Sequence, residues 1–340
     1  MSTYNVNLSN EQIAKLISNY DATANNLPCQ ASGAIPTGFQ DFDDILGGGY
    51  QAGSLTIISG DAGSGKTTLL ENSAKRMLAA GTRVLYVSSE QDSQTVMDQL
   101  VQTGLGFPTS SVDIRSGNIP TEYATDFAYV LHFFLGRSLY IASCHTAQEI
   151  RTAAEKFRPQ VLIVDSIQGL MGGKANTDIF QETARNISSL NALATDLGIA
   201  VVVVSHANRE GRKSGLPLQN HNLSNSGQIE YLASAIIFVR QVPEKEAQKI
   251  KEQEGLDQFH PEDGRLLELR VSKSRLRDCS HEQTCYLLWQ KGLTSIKDSP
   301  RSISPVDEES DSELRARCRA IVEAYTKLKE GDPNDRTEAE

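Results

Sequence analysis

At 340 residues the chain has room for one large α/β domain with an arm at either end. A formal net charge of −10 argues against a protein that coats nucleic acid by bulk attraction, although a local basic channel depends only on where charges sit. The N-terminus lacks a basic-then-apolar signal and no apolar run reaches membrane-spanning length, so a cytoplasmic protein without a membrane partner is expected.

Residues 1–32 make a polar arm in which Ser9 precedes a short amphipathic helix with Ile13, Leu16 and Ile17 on one face. From 33 to 297 apolar runs alternate with helix-like stretches. Strands are predicted over 55–59, 84–88, 161–164, 200–205, 235–239, 266–271 and 285–289, and helices over about 66–80, 92–103, 122–135, 146–157 and 179–197. Val161 to Val164 and Ala200 to Val204 are nearly continuous apolar runs, as strands buried on both faces require. The alternation predicts an α/β fold with a mostly parallel central sheet flanked by helices. The cysteines, Cys29, Cys144, Cys279, Cys285 and Cys318, are odd in number, contain no C-x-x-C pair and read as free thiols. Cys279, His281 and Cys285 lack both the fourth ligand and the spacing of a zinc site. From 298 to 340 the composition turns to Ser, Pro and acid, with eleven Asp or Glu against six Lys or Arg over 307–340; an acidic, partly disordered tail is expected.

Residues 60–67 read GDAGSGKT, a complete G-x-x-x-x-G-K-[ST] phosphate loop between a strand and a helix. Gly60, Asp61, Ala62, Gly63, Ser64, Gly65, Lys66, Thr67 and Thr68 are therefore the expected nucleotide-binding residues, with backbone N–H groups turned inward at the positive end of the helix. Lys66 would reach the outer phosphates of ATP and the Thr67 hydroxyl would ligate Mg2+. VLIVDS at 161–166 ends its strand on Asp165, the carboxylate expected to complete the magnesium site at the edge where open α/β sheets gather ligands. VLYVSSE at 84–90 ends on Glu90, assigned as general base, and VVVVSH at 201–206 ends on His206, placed to sense the γ-phosphate. Further on, LELRVSKSR at 267–275 carries Lys273 and Arg275 two residues apart, so that both project the same way along an extended chain. Such cations cannot help from across their own domain, but a neighbouring subunit could bring them to a γ-phosphate.

The ensemble resembles the C-terminal RecA-like motor domain of DnaB-type hexameric replicative helicases, over about residues 33–297. The similarity is ordered along the chain: SGAIPTGFQDFDDILGGGYQAGSLTIISGDAGSGKTT at the entry, IRSGNIP at 114–120, LYIASCHTAQEIRTAA at 139–154, QETARNISSLNALATDLGIAVVVVSHANRE at 181–210, LSNSGQIE at 223–230 and VSKSR at 271–275. Three features depart from it. The family's large N-terminal domain has no counterpart in the short leader, His206 stands where DnaB has glutamine, and Ser224 stands where the DNA loop has a basic residue. DSIQGL at 165–170, His206 and the REG of 209–211 look more like RadA, a related branch-migration motor, though without its zinc finger and protease-like domain. KaiC-type regulatory ATPases share the core and fit 114–154 and 223–230 less well.

The resemblance implies a RecA-like P-loop NTPase that forms a ring, a homo-hexamer in the family, with ATP and Mg2+ held between subunits. One subunit would supply Lys66, Thr67, Glu90 and Asp165, with Lys273 and Arg275 coming from its neighbour. It also implies single-stranded DNA in the centre, held by loops at 172–180 and 209–230 through Arg209, Arg212, Lys213, Ser224, Asn225 and Gly227. Movement 5′ to 3′ and a primase or loader partner follow from the same likeness. A RadA-like recombination ATPase and a KaiC-like ring without unwinding activity are the alternatives.

Overall fold

The structure is a computed structural model describing residues 4–5, 33–170, 179–207, 226–275 and 283–298. Two short pairs, β1 (Tyr4–Asn5) with β6 (Asn118–Ile119) and β2 (Ala34–Ile35) with β3 (Tyr50–Gln51), flank one large sheet. That sheet contains β4 (Leu55–Gly60), β5 (Val84–Ser88), β7 (Leu139–Ser143), β8 (Val161–Asp165), β9 (Ala200–His206), β10 (Ala235–Gln241), β11 (Gly264–Ser274), β12 (Gln283–Gln290) and β13 (Ile296–Lys297). Its order is β13-β12-β11-β10-β4-β9-β8-β5-β7. The six strands from β10 to β7 in that order run parallel, and β11, β12 and β13 add an antiparallel flank.

Alternation along these strands sorts side chains into two cores. Ile58, Tyr86, Ile163, Val202 and Ile237 face one side with helices α2 (Lys66–Ala79), α3 (Ser93–Gly104) and α5 (Ala124–Leu135). Ile57, Val87, Leu162, Val203 and Ile236 face the other, under α6 (Ala147–Phe157), α7 (Ile179–Leu197) and α8 (Ser226–Leu232). Helices cover both faces of the sheet, which is why the central strands are apolar throughout. A smaller core of Val242, Ala247, Leu256, Phe259, Leu266 and Tyr286 seats α9 (Glu244–Glu254) on the antiparallel flank.

Every predicted strand and helix of the domain is present, with bounds moved by three residues or fewer. The first turn of the predicted 122–135 helix is a 3-10 turn over Thr121–Tyr123. Elements not anticipated are the two-residue strands β1, β2, β3, β6 and β13, together with β7, α1 (Gln40–Leu46), α4 (Ser111–Ser116), α8 and α9. β7 is a half-buried edge strand with Tyr140 exposed, and α9 buries only Ala247 along a charged sequence. Neither carries the periodicity that marks a buried face. One expectation is corrected: residues 226–230, read as part of a DNA-facing loop, are the first turns of α8, because Ile229 and Ala233 bury into the second core. The leader helix and the acidic tail lie outside the described residues.

The phosphate-loop helix is tied down at its far side by polar bonds. Asn72 donates to the Thr294 carbonyl and accepts from Ile296 N–H. Arg76 pairs with Asp298 at 2.8 Å and stacks 4.2 Å over Phe39. These contacts hold α2 against both ends of the domain, so the loop at its N-terminus starts from a fixed support.

Candidate functional site

β4 ends at Gly60 and α2 begins at Lys66, so residues 61–65 turn from strand to helix at the carboxyl edge of the sheet. The turn depends on glycine: a Cβ on Gly60 would collide with the Val239 carbonyl oxygen, and Gly65 adopts φ +98° against the Trp289 ring. The Lys66 ammonium is buried and donates to the Gly60 carbonyl at 2.9 Å and to the Asp61 carbonyl at 2.6 Å. The lysine is thus curled into the cradle its own loop makes, its charge at the phosphate-facing edge.

Two strands away across the sheet, β8 delivers Asp165 to the same edge. The Thr67 hydroxyl donates to Asp165 Oδ2 at 2.7 Å, and the buried Tyr86 phenol reaches the same oxygen at 3.3 Å. Burial pushes the Asp165 carboxyl above its ordinary range, against the pull of these two donors. The Tyr86 phenol is driven upward by the same burial. One turn along α2 from Thr67, Glu71 is buried with no hydrogen-bond partner on Oε1 among the described residues; burial, reinforced by Asp165, pushes its carboxyl up to about 8. Hydroxyl and carboxylate oxygens converging beside a surplus of buried acid suit a hard divalent cation such as Mg2+. The inward-turned loop with its buried lysine suits the phosphates of a nucleotide. The residues present fit both groups.

Glu90 follows β5 and is half-exposed at this edge, accepting from the Ser166 hydroxyl at 2.6 Å. His206 closes β9 beside Gly60 in register, its Nε2 3.7 Å from Glu90 Oε1. Lys66, Thr67, Asp165, Glu90 and His206 therefore gather in one place.

Lys273 and Arg275 do not join them. β11 is antiparallel to β10, and Ser274 pairs with Ala235, which pairs in turn with Thr56 near the start of β4. From Thr56 to Gly60 the strand climbs about 13 Å at ~3.3 Å per residue, so both cations stand at the opposite edge from the phosphate loop. There Lys273 donates to the Glu230 carbonyl and Arg275 to the Tyr231 carbonyl, at the C-terminal end of α8. Burial and then the Arg275 charge depress the Lys273 ammonium. Gly227 is exposed on α8, whereas Arg209, Arg212, Lys213, Ser224 and Asn225 lie outside the described residues.

Sequence reasoning missed one part of the site. A cavity of about 630 Å³ opens beside the loop, lined by Gln241, Arg265, Leu266 and Trp289 among others. Gln241 joins it to the loop by donating to the Gly63 carbonyl at 2.6 Å, and Arg265 donates to Gln241 Oε1 at 2.9 Å. These residues come from three strand ends, β10 at the border of the parallel strands and β11 and β12 in the antiparallel flank, and of them only the chain's single tryptophan stands out along the sequence.

The profile of the DnaB-like helicase C-terminal domain matches residues 34–298. Among curated proteins, the chain is 29% identical to the DNA repair protein RadA of Streptococcus pneumoniae over 187 residues, 54% of this chain and 37% of that protein. It is 27% identical to Escherichia coli RadA over 214 residues, 62% of this chain and 38% of that one. The matched region thus spans little more than a third of these relatives' length. Among solved structures, an isolated ATPase domain superposes with a TM-score of 0.65 at 16% identity, covering 86% of this chain and 99% of that one. A DnaB-like replicative helicase, described with its interactions with primase, gives 0.65 at 18% identity over 83% of this chain and 67% of the other. At such identities the structural likeness speaks for the fold, which is RecA-like.

Proposed function

Since the chain belongs to the family of the DnaB-like helicase C-terminal domain, we propose that it is a ring-forming motor that hydrolyses ATP between subunits to move along single-stranded DNA. What supports this most is the division of charge between the two edges of the sheet. Thr67, Asp165 and Glu90 collect at one edge, while Lys273 and Arg275 stand at the other, and in this reading another copy of the chain brings them to a phosphate.

In this reading the loop amides and Lys66 bind the outer phosphates, and Thr67 with Asp165 holds Mg2+, which neutralises phosphate charge when bound. Glu90 orients the attacking water and takes its proton, and His206 reports the state of the γ-phosphate from the end of β9. The cavity at Gln241, Arg265 and Trp289 takes the nucleoside, with the indole offered to the base. Arg275 and Lys273 of one subunit act on the nucleotide of the next. Six such copies would enclose the strand, with Arg209, Arg212, Lys213, Ser224, Asn225 and Gly227 facing it. Replication in the cytoplasm, 5′ to 3′ movement and docking of a primase or loader belong to the same proposal. So does the division into an arm at 1–32, a motor at 33–297 and a tail at 298–340.

Similarity to RadA favours one second reading, a motor serving DNA repair rather than the replication fork. The test is ATP hydrolysis by the full chain with Mg2+, with and without single-stranded DNA, followed by strand separation on forks of both polarities and on branched recombination intermediates. DNA-stimulated hydrolysis with unwinding of a 5′-tailed fork is expected. Activity confined to the branched substrate would move the chain to the repair reading, and hydrolysis indifferent to DNA would leave a regulatory ring.

A further inference from the structure

Parallel pairing of β5 with β8 sets Ser88 opposite Asp165, so the next residues, Ser89 and Ser166, emerge together at the carboxyl edge. They are bonded to one another repeatedly. Ser89 N–H donates to the Asp165 carbonyl at 3.0 Å, the Ser89 hydroxyl to the Ser166 carbonyl at 2.7 Å, and Ser166 N–H to Ser89 Oγ at 3.0 Å. Both serines are buried, and the turn at Ile167–Gly169 packs so closely that a Cβ on Gly169 would collide with Ser89 Oγ. The backbone of Ser166 is thereby fixed, and its hydroxyl donates to Glu90 Oε1 at 2.6 Å.

A half-exposed glutamate on a strand-end connection has three rotatable side-chain bonds, and holding it in one rotamer costs side-chain entropy. An O–H···O⁻ bond of this length lies in the strong, charge-assisted range and offsets that loss. It also distinguishes the two oxygens. Oε1 faces Ser166 and His206.

We propose that Ser166 is a positioning residue for the hydrolytic step: with Ser89 it forms a clasp that sets where the Glu90 carboxylate stands relative to Asp165. The clasp joins the residue preceding Glu90 to the residue following Asp165, so one set of bonds fixes the spacing between proton acceptor and metal-holding carboxylate. This inference rests on the reading of Glu90 as general base.

Ser166→Ala removes the hydroxyl and keeps the backbone bonds to Ser89. In the full chain with Mg2+, ATP and single-stranded DNA, kcat should fall roughly tenfold to a hundredfold, the range in which small misplacements of catalytic groups act. The affinity for a fluorescent ATP analogue should stay within about twofold of the parent, since the loop and Lys66 are untouched. In a Glu90→Ala background, measured in single turnover, adding Ser166→Ala should cost nothing further, because the group it positions is gone. Should Ser166→Ala not fold, Ser166→Cys, with similar volume and a weaker donor, carries the same expectations. A parental kcat in the serine variant overturns the proposal, as does an equal loss with and without the Glu90 carboxylate, which would mark Ser166 as merely structural. If Glu90→Ala alone hydrolyses ATP like the parent, the general-base reading itself has failed and this inference goes with it.

Discussion

The two edges of the central sheet carry opposite kinds of incompleteness. At the carboxyl edge Thr67, Asp165, Tyr86, Ser166 and Glu90 satisfy one another through bonds of 2.6–3.3 Å within one chain. At the other edge Lys273 and Arg275 rest on the carbonyls of Glu230 and Tyr231, which are generic acceptors at a helix end. A parallel sheet explains the first edge, since it brings the ends of successive strands side by side. An antiparallel extension explains the second, since reversing one strand sends its C-terminal residues to the far side. The difference teaches that proximity in fold order is not proximity in space. β11 lies two strands from β4, yet its final residues are a strand's length from the phosphate loop.

The widest test of this contrast is Arg275→Ala. If the cation serves a neighbouring subunit, hydrolysis should fall by about 10³–10⁵, the range of trans-acting arginines in phosphoryl transfer, with ATP affinity little changed. Mixing it with Glu90→Gln subunits should restore activity in assembled rings, because some interfaces then carry neither lesion. Rings that form and stay inactive in a steady-state assay would remove the shared site.

Trp289→Ala sharpens the comparison from the carboxyl edge. Base–aromatic stacking contributes ~1–3 kcal/mol, so the dissociation constant for ATP should rise roughly fivefold to 150-fold, with Trp289→Phe retaining most of the affinity. Equilibrium binding of a fluorescent ATP analogue gives the answer; parental affinity would mean that the cavity takes something other than the nucleoside.

The smallest effect concerns the acid buried beside the Thr67–Asp165 pair. Burial pushes the Glu71 carboxyl up to about 8 from its ordinary value of 4.5. Between those values the native state holds a proton that the unfolded chain has released, so stability falls as pH rises through that window. Glu71→Leu should flatten this dependence and stabilise the metal-free protein at pH 8 by about 1–3 kcal/mol, the cost of an unsatisfied buried polar group. Chemical unfolding in EDTA at pH 5 and pH 8 measures both. An unchanged slope would place the burden on other groups.

Apolar runs and one phosphate loop were enough to read the α/β class, the parallel sheet and the strands that carry Asp165, Glu90 and His206. Burial on both faces leaves a near-continuous apolar signature, and a helix packed on a sheet leaves its own period, so both can be counted along the chain. The phosphate loop is local in the same sense, since its turn, lysine and threonine are consecutive. β7 and α9 escaped because an edge strand and a solvated helix bury too little to leave a pattern.

Relations between distant residues were decided only by the tertiary structure. The bond between Thr67 and Asp165, 98 positions apart, could be guessed from the chemistry of magnesium. The clasp of Ser89 and Ser166 could not, because serine after a strand is among the commonest of turn residues and only the register of β5 with β8 makes these two neighbours. The cavity of Gln241, Arg265 and Trp289 depends likewise on three strand ends meeting. The sequence by itself determined which groups the chain carries to the ends of its strands, since that is set by short-range burial. Which end of the sheet each group occupies, and hence which are partners within one chain, was decided by strand direction, a property of pairing that no single strand contains.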